Sequence, residues 1–333
     1  MYDLTDIISK IRHVVNTHYI GNGAYARFLW QNKECSRKMG INEYGCADAM
    51  NILYTLCDFP TGEHRELCLR ALLSLQDEGT GLFKEHTHHV IHTTAHCVAA
   101  IELFDATPLY PQRELLPYFT KQGLTELIES LNWESNPWPQ SHQGAGIYVI
   151  GQLTGCADRE WKEFYFNTLY DMTDDEYGMS RKGCLGKKPL YHHLNGWFHY
   201  TFNTEYAKKP MRYPDKLIDT CIEMYKNPAK NENMHPKFGK MIGFAEIDWV
   251  YVLNRATRQS PHRHAEAKDC LRAFAKKYIE YLESIDFDTD DGANDLHMLF
   301  GAVCALAELQ AALPGEIYTD KPLRLVLDRR PFI

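Results

Sequence analysis

Long apolar runs are missing from this sequence. Its 333 residues contain no stretch near the roughly 18 apolar residues that a membrane-spanning helix needs. The opening residues, MYDLTDIISKIRHVV, lack a basic segment followed by an apolar one, which argues against a signal peptide. We therefore expect a soluble protein with no membrane partner.

Paired cysteine motifs are also missing, although the chain has ten cysteines. None of them forms a CxxC pair, and Cys57, Cys68, Cys97, Cys270 and Cys304 sit inside apolar helical runs, where cysteine behaves as a small hydrophobic residue. This usage indicates a reducing compartment, so we predict a cytoplasmic protein without a disulfide framework.

An excess of positive charge is the third absence. The formal net charge is -8, whereas binding to nucleic acid needs a basic surface. We expect no nucleic-acid partner and a small-molecule or oligosaccharide substrate instead. The charge pattern leaves the oligomeric state open.

Alternating polar and apolar residues are scarce, and apolar residues recur at helical spacing along most of the chain. The pattern predicts an all-α fold in one domain, 1–333, with the residues 314–333 as an extended tail that packs on it. The helices are predicted at 3–17, 43–58, 61–76, 90–105, 112–131, 139–155, 159–173, 189–205, 213–227, 244–257, 262–285 and 293–312.

The connections between these helices alternate between short corners and longer loops. Helices two and three are joined by DFPTG, whereas helix four follows the Gly-rich loop QDEGTGLF. This alternation is a weak repeat of roughly 50 residues and predicts helical hairpins arranged in a ring. In each hairpin an odd-numbered outer helix leads into an even-numbered inner helix.

The loop QDEGTGLFKE with the helix HTTAHCVAAIELFD resembles one repeat of the (α/α)6 toroid superfamilies, and the segment FDTDDGANDLHMLFGAVCALAELQ has the same form. These superfamilies include six-hairpin glycosidases, related uronyl hydrolases, lyases and epimerases, and terpenoid cyclase and prenyltransferase toroids. The resemblance implies a ring of six hairpins over nearly the whole chain. It selects no single family.

Inner helices of a ring run parallel, so that their N-termini open at one end, where unpaired N–H groups and the helix dipoles favour polar or anionic ligands. The starts of the even-numbered helices are rich in polar residues, and about half of the sixteen histidines fall there. This concentration predicts a pocket at that end of the ring.

The predicted pocket supplies two sets of candidates. Carboxylates and histidines serve general acid–base chemistry, and aromatic or amide side chains position a sugar. The catalytic candidates are Asp48, His92, His193, Glu246, Asp248 and Asp295. The substrate-binding candidates are Tyr44, Cys46, His88, His96, Trp138, His142, His192, Asn195, Trp197, Trp249 and His297.

Each candidate has a plain structural alternative. Asp48 could be a capping or hydrogen-bonded core carboxylate, and a tryptophan at helical spacing such as Trp249 is more often part of the core. Glu246 and Asp248 are two residues apart on a helix, so that only one of them is expected to point inward.

Metal binding is an alternative at two places. His88, His92 and His96 lie on one helical face at a spacing that zinc uses, but no HExxH motif accompanies them. The acidic loop 286–295 does not match a calcium-binding EF-hand pattern. The sequence therefore predicts no metal and no other cofactor.

Three functions compete on these grounds. The leading hypothesis is a carbohydrate-active enzyme, a hydrolase, lyase or epimerase acting on a sugar or uronic-acid unit by general acid–base catalysis. The second is an isomerase, dehydratase or cyclase for a terpenoid or other apolar molecule, with Cys46, Cys97 and Cys184 as reactive thiols. The third is a non-catalytic ring that binds a ligand or a peptide.

Overall fold

The helices of this chain divide into a buried set and an amphipathic set. The computed structural model describes residues 1–31 and 37–333. The α-helices are α1 (Thr5–Thr17), α2 (Glu43–Thr55), α3 (Gly62–Leu73), α4 (Val90–Glu102), α5 (Lys121–Ser130), α6 (Pro137–Thr154), α7 (Arg159–Met172), α8 (Leu190–Tyr206), α9 (Pro214–Lys226), α10 (Ala245–Gln259), α11 (His264–Ser284), α12 (Leu296–Ala312) and α13 (Val326–Arg329). The all-α class predicted from the sequence is confirmed.

The even-numbered helices α2 to α12 form a closed cycle of contacts. Each packs against the next along the chain, and α12 packs against α2. They are apolar on most faces, as in the α12 sequence LHMLFGAVCALAELQ, because neighbours surround them. The odd-numbered helices are amphipathic and cover the cycle; α11, for example, contacts α9, α10 and α12.

Strands are short among the described residues. β1 (Tyr2–Asp3) pairs in parallel with β4 (Ile317–Tyr318), which joins the two ends of the chain. β2 (Tyr19–Gly21) and β3 (Ala24–Tyr25) form an antiparallel hairpin after α1. These pairs fix the segments that lead into the cycle.

The fifth predicted helix, 112–131, is divided in two. A 3-10 helix covers Arg113–Phe119, and α5 begins only after Thr120, whose side chain caps it by accepting from the Gly123 N–H. Pro117 lies inside the 3-10 segment. Because proline has no N–H and its ring crowds the preceding turn, a continuous α-helix is not formed here.

The sequence suggested an extended tail at 314–333, but this tail is partly helical in the structure. After β4 it forms the short helix α13, which packs against α8 and α2. The last residues then enter the cycle, where Arg330, Phe332 and Ile333 are buried. The Phe332 ring lies 4.9 Å from the ring of His92 and 5.7 Å from that of Phe202. The tail therefore forms part of the core.

Within the described ranges, no helix has both the length and the apolar character to span a bilayer.

Truncating the buried tail residue tests this packing. Phe332→Ala removes a fully buried ring, and we expect the free energy of unfolding to fall by about 3 kcal/mol. Urea denaturation measures the change. Tyr318→Ala, which alters an exposed ring on the same tail, serves as the control. Equal stability of Phe332→Ala and wild type would contradict the docked tail.

Candidate active site

One cavity of about 370 Å³ lies where several helices of the cycle begin. The first turns of α4, α6, α10 and α12 supply much of its wall, and a deeper residue of α8 contributes. The lining residues are Arg27, Thr87, His88, His89, His92, Trp138, Pro139, His142, His199, Met241, Phe244, Asp248, His297, Met298 and Ile333. The convergence of inner-helix starts places unpaired N–H groups and positive helix ends around this space.

Three histidines from consecutive helices of the cycle meet at the cavity wall. His92 comes from α4, His142 from α6 and His199 from α8, and one ring nitrogen of each lies within 4.8 Å of the others. The ring centroids of His92 and His142 are 4.4 Å apart, and those of His142 and His199 are 5.7 Å apart. We call these residues the three-histidine cluster.

Two members of the three-histidine cluster are oriented through one ring nitrogen. Nδ1 of His92 lies 2.8 Å from the Tyr44 hydroxyl, and Nδ1 of His199 lies 3.0 Å from the Asn195 carbonyl oxygen. Nε2 of each ring is therefore left for other partners. Nε2 of His142 is buried without a hydrogen-bond partner among the described residues.

Burial sets the protonation of the three-histidine cluster. Desolvation lowers the pKa of His92 and of His142 well below the usual range, and neighbouring imidazoles lower both further. Desolvation likewise lowers the pKa of His199 to about 4. All three imidazoles are therefore neutral at physiological pH.

A second polar cluster is centred on Asp48, which is fully buried in α2. One carboxylate oxygen lies 2.7 Å from Nε2 of His96, and the other lies 2.9 Å from Nδ1 of His297. Burial raises the pKa of Asp48, but the interactions with His96 and His297 outweigh it and hold that pKa well below the usual range. Asp48 is ionised and accepts from both rings.

His297 connects this second cluster to the cavity. Its Nδ1 bonds to Asp48, and the same ring lines the cavity, so that Nε2 is the nitrogen available to a ligand. Desolvation lowers the pKa of His297 well below the usual range, against the opposing effect of Asp48. Because the carboxylate holds the Nδ1 hydrogen, Nε2 of the neutral imidazole carries the lone pair and is the nitrogen that can accept a proton.

Asp248 is the carboxylate of the cavity wall. It is 1% exposed, and neither carboxylate oxygen has a hydrogen-bond partner among the described residues. Burial raises the pKa of Asp248 well above the usual range, and the nearby Glu246 raises it further. Burial therefore favours the protonated form of this side chain, which can donate a proton to a ligand.

Ten of the expected site residues line the cavity or hydrogen-bond within the two clusters beside it. His88, His92, Trp138, His142, Asp248 and His297 line the cavity. Four others do not line the cavity. Tyr44 and Asn195 are hydrogen-bonded to members of the three-histidine cluster, and Asp48 and His96 are hydrogen-bonded to each other.

Three expected acid–base residues lie away from the cavity. Glu246 accepts from the Gly239 N–H at 2.8 Å, because α10 turns it toward the loop that precedes the helix. Asp295 caps α12 and pairs with both ends of the Arg27 guanidinium. His193 is buried with Nδ1 2.9 Å from the Ser180 hydroxyl.

The remaining binding candidates are also placed elsewhere. Trp249 is in the core and donates to the Cys221 carbonyl. Trp197 packs against Tyr200. Cys46 contacts the backbone of Tyr25, and His192 stacks on Tyr191 outside the cavity wall. These positions follow from helix rotation, since adjacent residues differ by about 100° in direction.

The two metal alternatives also change. His88, His92 and His96 do not converge on one point, because Nε2 of His96 is engaged by Asp48; His92 instead faces His142 and His199. In the 286–295 loop, Asp290 accepts from backbone N–H groups of that same loop. No group of three candidate ligands forms there among the described residues.

Sequence reasoning missed His199 and Arg27. His199 is the tenth residue of α8, more than two turns after the helix start, where the candidate residues were sought. Its spacing from His192 is seven residues, which places both on one helix face and is the signal that would have found it. Arg27 lies outside the helices and carried no comparable pattern.

The comparisons with known proteins do not add a family. No protein family model matches the chain, and no curated protein matches it.

Glu246 gives a test of the burial described above. Burial raises its pKa to about 7, from the ordinary 4.5 expected in the unfolded chain. Protonated Glu246 makes its full contribution to the free energy of unfolding below pH 4.5, and that contribution is lost as the pH rises through 7. Glu246→Gln should therefore match wild type near the lower pH and exceed it by up to about 3 kcal/mol at about pH 8.

Urea unfolding across this pH range measures the difference. The control is Glu283→Gln on the exposed face of α11, for which we expect no pH-dependent change. A constant difference between Glu246→Gln and wild type at every pH would contradict the buried, protonated glutamate.

Proposed function

We propose that this protein is a carbohydrate-active enzyme, most specifically a lyase or epimerase, acting on a sugar or uronic-acid unit. The observation that carries the proposal is the Asp48–His297 pair, which faces a cavity that also contains the unpartnered carboxylate of Asp248. Lyases and epimerases need a base that removes a proton from carbon and an acid that returns or delivers one.

His297 is the proposed base. Asp48 accepts the Nδ1 hydrogen at 2.9 Å, which fixes the ring orientation and stabilises the imidazolium that proton abstraction creates. His96 bonds to the other Asp48 oxygen and restrains that carboxylate in turn. Asp48 is therefore a positioning residue, since it acts through His297.

Asp248 is the proposed acid. Its side chain lies in the cavity wall with no hydrogen-bond partner, so that a ligand is the available acceptor for its proton. Delivery of that proton to a leaving oxygen, or to the opposite face of a carbanion, completes elimination or epimerisation. Both reactions balance with one proton removed and one supplied.

The lining also suits the proposed substrate class. Trp138 offers a flat apolar surface of the kind that stacks on sugar rings. The positive helix ends around this space favour a uronate carboxylate, and His88 adds an imidazole to the wall. A volume of about 370 Å³ is within the range of small-ligand sites.

The carboxylate count favours a lyase or epimerase over a hydrolase. Glycoside hydrolysis commonly uses two carboxyl groups on either side of the bond. Asp248 is the one carboxylate side chain among the residues that line this cavity.

Architecture and location belong to the same proposal. The closed cycle of α2 to α12 supports an (α/α)6 toroid of the kind the sequence resembles. The described cysteines are free, which supports a reducing compartment such as the cytoplasm.

A second candidate is an isomerase or cyclase for an apolar molecule. Met241, Phe244, Met298 and Ile333 form an apolar part of the wall, which favours such a ligand. The thiols that this alternative relied on are absent from that wall, and burial raises the pKa of Cys46 to about 11. The carbohydrate proposal is therefore preferred.

Substitution of the acid and the base tests the proposal. With a panel of sugars, uronates and unsaturated uronates as substrates, we expect Asp248→Asn and His297→Gln each to lower kcat by about 10² to 10⁴ while the fold is kept. Product formation gives the rate, and thermal melting reports folding. Asp288→Asn, an exposed carboxylate outside the cavity, should keep full activity.

Two results would contradict the assignment of Asp248 as acid and His297 as base. One is an unchanged rate in both cavity variants. The other is binding without turnover of any panel member, which would favour the ring as a ligand-binding protein. Turnover of an isoprenoid instead would support the second candidate.

A further inference from the structure

The three-histidine cluster has no role in the proton transfers proposed above. We propose that His92, His142 and His199 bind a divalent transition metal, zinc by preference, with a fourth coordination position open to the cavity. This inference does not rest on the proposed carbohydrate chemistry, because it follows from the side chains that converge on one point.

The geometry is close to that of a three-histidine zinc site. One nitrogen of each ring lies within 4.8 Å of the others. Zinc–nitrogen bonds of about 2.1 Å in a tetrahedron place ligand nitrogens roughly 3.4 Å apart, so that modest side-chain rotation closes the site. The three residues come from α4, α6 and α8, which are consecutive in the contact cycle and hold the ligands on rigid elements.

The outer contacts fit metal binding. Histidines that ligate a metal with one nitrogen usually donate from the other to an oxygen, which fixes the ring. Tyr44 supplies such an oxygen to Nδ1 of His92, and the Asn195 carbonyl supplies one to Nδ1 of His199. In both residues the nitrogen left for the metal is Nε2.

His142 supplies an independent observation. The residue is 6% exposed, and its Nε2 has no hydrogen-bond partner among the described residues. A buried polar atom without a partner is destabilising. Coordination of a metal by this ring would remove that destabilisation and explain the presence of a third imidazole beside the other two.

Charge and ligand type identify the metal class. A metal binds imidazole through a nitrogen that carries no proton. Three imidazole nitrogens suit zinc and its neighbours in the first transition row, whereas magnesium and calcium prefer oxygen ligands. Zinc is the member of this class that most often takes three histidines and one exchangeable ligand.

The surroundings place the open position. The Phe332 ring lies 4.9 Å from the His92 ring and 5.8 Å from the His199 ring, which covers the cluster on the tail side. The same two histidines line the cavity on the other side. A water or a ligand oxygen therefore reaches the metal from the cavity, where the metal can polarise it.

The Asp48 cluster provides an internal contrast. Its three residues also lie within 4.8 Å of one another. There, however, both imidazoles direct a nitrogen at the carboxylate, with distances of 2.7 and 2.9 Å, so that the nitrogens which face Asp48 are already hydrogen-bonded to it without a cation. Zinc is accordingly assigned to the three-histidine cluster alone.

Zinc titration of the chelator-treated full chain tests the site. We expect one equivalent of zinc by elemental analysis and by calorimetry, and a rise in melting temperature when zinc is added. His142→Ala and His199→Ala should each weaken zinc binding by about 100-fold or more, since each removes one of three metal–nitrogen bonds. His192→Ala, on α8 but outside the cluster, should bind zinc as wild type does.

Tyr44→Phe keeps the ring and removes only the oxygen that orients His92. We expect zinc affinity to fall by about 10-fold with the fold intact, as for other outer contacts of metal sites. This variant keeps the proposal testable if the histidine variants do not fold, which circular dichroism will report.

The proposal is overturned if wild type binds zinc no more tightly than His142→Ala or His199→Ala, or if it binds less than one equivalent. Because the readout is zinc binding, this result is separate from that of the sugar panel. A chain that binds zinc but turns over no sugar would refute the proposed function and leave the metal site standing.

Discussion

A buried carboxylate is stable only when its oxygens are matched by donors, and Asp48 satisfies this condition where the contact cycle of α2 to α12 closes. Its two partners, His96 and His297, come from α4 and α12, the helices on either side of α2 in the contact cycle. The packing of α12 against α2 therefore depends on a polar contact as well as on apolar surface. Displacing any of these three residues leaves an unmatched polar group in the core, so their positions are strongly constrained.

Tyr44 connects this contact to the rest of the site. Its ring stacks on His96 with centroids 5.0 Å apart, while its hydroxyl bonds to His92 at 2.8 Å. The three-histidine cluster and the Asp48 cluster are thus both contacted by one side chain, and both reach the cavity wall, the Asp48 cluster through His297. The tail residue Phe332 covers the three-histidine cluster from the opposite side. Residues that line the cavity and residues that only orient them therefore lie on the same helix or on its neighbour, here α4 and α2.

The sequence was informative about helices and about the end of the ring where polar residues gather. The 3.6-residue periodicity predicted the helix positions, and the matching helix starts singled out His92, His142, Asp248 and His297, which line one cavity in the structure. It could not choose between Glu246 and Asp248, since both lie among buried residues and differ by about 200° in direction on α10. His199 lies too deep in α8 to be marked by a helix start, and the entry of the tail into the ring depends on long-range packing that has no local pattern.

The bond between Tyr44 and His92 has a direction as well as a length. With the cluster empty, either the tyrosine or the imidazole can donate. Once a metal takes Nε2, the His92 proton must be on Nδ1, so that the imidazole donates to the Tyr44 oxygen and the Tyr44 hydrogen turns to Thr93, 3.2 Å away. Metal loading would thereby convert a hydrogen-bond chain of undefined polarity into one that runs from α4 through α2 and back to α4.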